Sequence, residues 1–141
     1  MPRNTPFPNI VLQSDATLND SDKTLTVPAG KLWHVRHIYA SLVSTATPGN
    51  RQLDVLITDA SDNPISKAVA GAVQAQSLGR EYIFAPHNPQ ETAFTNGLMY
   101  RHLPDPIFLP AGYKVRIYDS AAIAAAADDL IILVLVEEMV E

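Results

Sequence analysis

Turn-forming residues cut this chain at short intervals, and that rhythm limits what it can fold into more than any other feature. Asn19-Asp20, Pro28-Ala29-Gly30, Pro48-Gly49-Asn50, Asp62-Asn63-Pro64, Asn96-Gly97 and Pro110-Ala111-Gly112 combine residues that accept positive φ, fix φ, or bond their own backbone. Period-2 alternation between the turns is clearest in Leu53, Val55 and Ile57, and in Tyr113, Val115 and Ile117, where Lys114, Arg116 and Tyr118 take the other face. Strands are expected at residues 9–13, 23–27, 32–44, 51–58, 65–70, 80–85, 98–102, 113–119 and 130–138. The pattern predicts an all-β fold, a two-sheet antiparallel β-sandwich with jelly-roll-like connectivity.

Four segments need separate readings. In residues 32–44, Trp33 and Val35 share one parity while Ile38, Ala40 and Leu42 share the other, so a β-bulge is expected near Arg36-His37. Residues 130–136 are apolar without alternation, so both faces of that strand call for cover, by a second sheet and a loop or by another subunit. Asp128, Asp129, Glu137 and Glu138 flank it as gatekeepers against aggregation. Residues 65–76 fit helical and alternating spacing alike and are read as strand, whereas the Ala-rich run 120–127 is read as a loop with at most one helical turn, because Asp128-Asp129 would oppose a helix dipole at its C-terminal end. Finally, Val27-Pro28-Ala29-Gly30 and Leu109-Pro110-Ala111-Gly112 each precede a strand, and both read as type I turns with proline second and glycine fourth.

At 141 residues the chain suits one domain, which can bury roughly 70% of its unfolded surface. Residues 1–9 hold three prolines and little to bury, so they are expected to form an extended arm outside the domain of residues 10–141. Cysteine is absent, which removes disulfides, thiolate metal sites and cysteine nucleophiles. Ten Lys and Arg against fifteen Asp and Glu give a net charge of -5, with the basic residues scattered, which argues against nucleic acid as a partner. No apolar run approaches the roughly 18 residues of a spanning helix, and the N-terminus lacks a signal-peptide core, so neither membrane insertion nor export is expected.

Residues able to carry chemistry have structural readings that outweigh the catalytic ones. His34 and His37 are three apart on an expected strand, which puts them on opposite faces unless a bulge brings them together, and with His87 and His102 they do not follow a cupin-type ligand order. No metal or other cofactor is therefore expected. Asp59-Ala60-Ser61-Asp62-Asn63 offers oxygen ligands but lacks the length and closing glutamate of a calcium loop, and is read as a hairpin turn. Serine occurs in no Gly-x-Ser-x-Gly elbow, and the six glycines are spread singly, which leaves no phosphate loop. The aromatics Trp33, Tyr39, Tyr82, Phe84, Phe94, Tyr100, Phe108, Tyr113 and Tyr118 would form a sugar platform only if several were exposed and coplanar; most are expected in the core or at its rim. No enzymatic activity is expected.

Four segments together carry a family likeness: Val27-Pro28-Ala29-Gly30-Lys31-Leu32-Trp33, Ala46-Thr47-Pro48-Gly49-Asn50-Arg51, Tyr82-Ile83-Phe84-Ala85-Pro86, and the stretch from Leu109-Pro110-Ala111-Gly112 through Tyr113-Lys114-Val115-Arg116-Ile117-Tyr118-Asp119-Ser120-Ala121. Across residues 25–138 the chain resembles small structural proteins of tailed bacteriophages, and among them capsid decoration, or cement, proteins. The resemblance implies a virion protein on the capsid exterior, a homotrimer, and the major capsid protein as partner; neck, tail or fibre sandwiches, including carbohydrate-binding host-recognition modules, are the alternative. Pro2, Pro6, Phe7 and Pro8 in the arm, with Ile131, Leu133 and Leu135 in the last strand, are the expected contact residues.

Overall fold

The computed structural model describes residues 9–104 and 107–140. They form ten strands: β1 (Asn9–Asp15), β2 (Asp22–Thr26), β3 (Lys31–Val43), β4 (Leu53–Thr58), β5 (Pro64–Val69), β6 (Gly79–Ala85), β7 (Leu98–His102), β8 (Phe108–Leu109), β9 (Lys114–Asp119) and β10 (Asp129–Val140). A six-stranded sheet runs β1-β10-β3-β6-β7, with β8 also paired to β3, and a four-stranded sheet runs β2-β9-β4-β5. The expected arm lies outside the described residues, except for Asn9, which opens β1.

The inner faces of the two sheets share one core. Ile38, Ala40, Leu42, Tyr82, Phe84, Ile132 and Val134 from the larger sheet meet Leu53, Val55, Ile57, Val115 and Ile117 from the smaller, all buried. Alternation dictates this, since every second residue of each strand turns inward. A buried polar group is also satisfied: Gln74 donates to the Leu42 and Leu78 carbonyls and accepts the Tyr82 hydroxyl at 2.7 Å. Burial pushes the Tyr82 phenol far above its usual range.

Several expectations change. One pair, β6 with β7, is parallel, because the connection over residues 86–97 is long enough to carry the chain back to its starting end. The bulge falls where parity predicts it: Leu135 pairs with His37 and Val136 with Val35, leaving Arg36 unopposed and exposed. That extra residue also brings His34, opposite Glu137, onto the same face as His37, opposite Leu135, overturning the opposite-face assignment. The proline turns sit one residue later than expected. Lys31 N–H donates to the Pro28 carbonyl and Tyr113 N–H to Pro110, so glycine holds the third position at φ 75° and 87°, as a type II turn requires. Ala122 and Ala124 adopt positive φ, 56° and 47°, so the Ala-rich run is a chain of turns. Asp119 holds it there by accepting the Ala121 and Ile123 N–H groups.

Asp128 is no surface gatekeeper. It is wholly buried, and its carboxylate accepts Arg51 Nε at 2.7 Å, Arg51 Nη2 at 3.1 Å and Thr45 N–H at 2.9 Å. The remaining Arg51 donors reach the Thr47 and Gly49 carbonyls, both at 2.8 Å, and Thr45. Burial alone would raise the Asp128 carboxyl, but the hydrogen bonds from Arg51 and Thr45 outweigh it and hold the group below the usual carboxylate range.

Candidate interaction surface

The two outward faces of the sandwich differ in kind. On the four-stranded sheet, outward residues are mostly polar and paired: Arg116 grips Asp22 through Nε at 2.8 Å and Nη2 at 2.6 Å while lying 3.8 Å over the Tyr118 ring, and Lys67 meets Asp54 at 3.2 Å. A shallow hollow there is lined by Thr24, Leu56, Thr58, Asp62, Lys114 and Arg116, and Lys114 reaches across it to Asp62 at 2.6 Å. Ion pairs thus hold most of the charged groups of this face, although Ile65 and Val69 at its β5 edge are exposed.

The outward face of the six-stranded sheet is mostly apolar, interrupted by Ser14, His37, Ser41 and Glu81. Ladder register sets the rows: Ser14 beside Leu133, then Tyr39, Ile83 and Tyr100 across the whole sheet; Leu12 beside Leu135 and His37; Ile131 beside Ser41, Glu81 and Leu98. Ile10 is 61% exposed, Leu12 57% and Val43 50%. Phe108, half exposed, lies against His34 with centroids 4.7 Å apart. Five strands at about 4.8 Å spacing, with outward side chains every 6.8 Å or so, make a platform of roughly 20 by 15 Å. Its coverage would contribute on the order of 7 kcal/mol before the costs of association.

Ile131, Leu133 and Leu135 stand together in one outward column of β10, half-buried by lateral neighbours alone, while Leu130, Ile132, Val134 and Val136 fill the core. The second sheet therefore covers the inner face, and among the described residues no strand lies over the outer one. Pro2, Pro6, Phe7 and Pro8 lie outside the described residues. Sequence reasoning missed Ile10, Leu12 and Ile83, and weighed Tyr39 and Tyr100 only for a sugar platform, although the apolar residues at both parities of β1 and β6 were a usable signal.

The polar residues of the platform modulate it. Burial and the adjacent Glu81 carboxylate push the Tyr39 phenol up. Arg36, on the bulge, bonds Glu137, whose other oxygen is 3.5 Å from His34 Nδ1. Among the described residues no three His, Asp or Glu groups converge as metal ligands. Asp59 Oδ1 accepts the Ser61 and Asn63 N–H groups, and Oδ2 accepts the Asn63 amide, so this carboxylate organises its own turn. Trp33, Tyr82 and Phe84 are buried, and the exposed Tyr100 and Phe108 come from different strands. Compared with models of known protein families the chain matches none, and a search of curated proteins finds no similar sequence.

Proposed function

We propose that this chain is a non-catalytic structural protein of a tailed-phage virion, a decoration protein that docks on the capsid exterior and stabilises the shell by bridging coat subunits. The observation that carries the docking part is the contrast between faces: an unpartnered apolar platform through Ile10, Leu12, Leu133, Leu135, Tyr39 and Ile83, set against an ion-paired opposite face. Contiguous exposed apolar surface marks a protein–protein contact more often than a small-ligand site. The virion assignment is supported by the four sequence segments that resemble decoration proteins.

The jelly-roll reading of the sandwich has its own support. With β7 and β8 set aside, β1-β10-β3-β6 packs on β2-β9-β4-β5, so successive strands pass between sheets in the interleaved order of two Greek keys.

Purified protein is expected to co-sediment with assembled shells of its coat protein and not with free coat subunits. Leu133→Asp, which puts a carboxylate at the centre of the platform, is expected to abolish this while the variant stays folded. Absence of the protein from the shell pellet would refute the assignment, and binding to tails instead would favour the neck, tail or fibre alternative.

A further inference from the structure

The outer strands of the two sheets, β1 and β7 in the larger and β2 and β5 in the smaller, are not equally protected, and β8, paired only to β3, adds an edge of two residues. At the β7 edge, Tyr100 N–H donates to Glu91 Oε1 at 2.8 Å, Glu91 N–H donates to the Tyr100 carbonyl, and His102 N–H donates to Gln90 Oε1. The β5 edge opens on Pro64, carries Lys67 and has its Val69 carbonyl taken by Arg101 Nε at 2.9 Å. The β2 edge is five residues long with Asp22, Thr24 and Thr26 facing outward. Short strands, proline, lysine and covering loops are the usual means of blunting an edge.

Among the described residues β1 has none of them. Asn9–Asp15 contains no proline, lysine, arginine or bulge, and it pairs without a register break from Asn9 opposite Glu138 to Asp15 opposite Ile132. Among the described residues, none of its backbone groups bonds outside that ladder. Its outward side chains Ile10 and Leu12 are among the most exposed large apolar residues described.

We propose that β1 is a strand-addition edge whose occupant is β1 of a second copy, paired antiparallel across a two-fold axis. The β7 and β5 edges carry covering bonds and the β2 edge is short and polar, which leaves β1 as the long apolar edge, and its self-complementary contact with its own equivalent closes as a dimer. Backbone groups at a free edge alternate, so paired residues must share parity, and the one such register that uses the whole strand is centred on Leu12. It sets Asn9 against Asp15, Ile10 against Ser14, Val11 against Gln13 and Leu12 against itself. The only charged residue of the strand, Asp15, then faces a neutral Asn9, and the two carboxylates lie at opposite ends. Pairing sets the two apolar platforms side by side as one continuous face of roughly 600 Å². The inference rests on the edge and not on the virion reading, and it replaces the three-fold assembly implied by the resemblance with a two-fold one.

The test is the mass of the full-length protein in free solution, by light scattering, with no shells present. The wild type is expected to be a dimer. Leu12→Lys and Leu12→Glu each set like charges face to face and should weaken it roughly 100-fold, while an equimolar mixture of the two restores a heterodimer. Leu12→Cys, the sole cysteine in the chain, should form a symmetric intermolecular disulfide on mild oxidation, since directly opposed Cα atoms lie within bridging range. A monomeric or trimeric wild type, or a dimer indifferent to both charges and slow to cross-link through Leu12→Cys, would overturn the inference. Shell binding by a wild type found to be monomeric in free solution would overturn the dimer and leave the virion reading intact.

Discussion

Replacing Asp128 with alanine tests the deepest polar contact of the fold. Both partners of the Arg51–Asp128 pair have fully buried side chains, and the carboxylate accepts two guanidinium N–H groups and the Thr45 N–H. The variant strands a cation that cannot reach water, because Arg51 is pinned by the Thr47 and Gly49 carbonyls. Breaking a buried pair from one side costs about 3–5 kcal/mol, against about 0–1 kcal/mol for an exposed pair. Arg116→Ala, which removes the exposed bidentate contact with Asp22, is the matched control. Arg51→Met should cost as much as Asp128→Ala or more, since it also orphans the Thr47 and Gly49 carbonyls and leaves the Asp128 carboxylate buried alone. Urea titrations followed by the fluorescence of Trp33 give the three values. An Asp128→Ala cost below about 1 kcal/mol, or one no larger than that of Arg116→Ala, would refute the reasoning that Arg51 is left stranded without its partner.

Acid should weaken the fold. Hydrogen bonds from the Arg51 and Thr45 groups, outweighing burial, hold Asp128 low, and the Thr17 N–H, with Lys23, does the same for Asp15. Depressed folded values mean stability that is present above an unfolded value of about 3.9 and lost as pH falls through the folded ones, so the urea midpoint should drop between about pH 5 and pH 2, and drop less in Asp128→Asn. Gly71→Ala should destabilise by about 2 kcal/mol or more, because its Cβ would meet the Glu91 carbonyl oxygen at 2.0 Å; an unchanged urea midpoint would contradict this packing. Gly112→Ala and Gly30→Ala both carry the strain of positive φ, about 1 kcal/mol, but only the former meets a neighbour, Ala60 at 3.1 Å, so it should melt at the lower temperature.

The strands were legible because turn residues and alternation are local signals. The bulge at Arg36 could be read for the same reason, since Trp33 and Val35 change parity with Ile38, Ala40 and Leu42 in plain sight. Properties set by distant pairing could not. The direction of β7 depends on how residues 86–97 cross the sheet, and no pattern within Leu98–His102 records it. Glycine serves equally at the exit of a type I turn and at the third position of a type II turn, so the Pro28 and Pro110 turns were placed one residue early. Asp128 looked like a flanking charge because its partner, Arg51, is 77 residues away. The apolar platform is composite in the same sense: Leu12, Leu133, Tyr39 and Ile83 come from four strands, and their common face exists only once the register is known.

The placement of the last two long strands has a consequence for how the chain acquires its structure. β10 lies between β1 and β3, and β9 between β2 and β4, so neither sheet has its central ladder until residues 114–140 are available. Until then the ladders of β4 with β5, β3 with β6 and β6 with β7 can form, but the edge of β3 that takes β10 stays open. Dominance of distant pairings makes folding slow relative to helical proteins of similar size. Ribosome-stalled chains ending before Asp129 should therefore remain protease-sensitive throughout, and protection should arrive in one step once β10 has emerged.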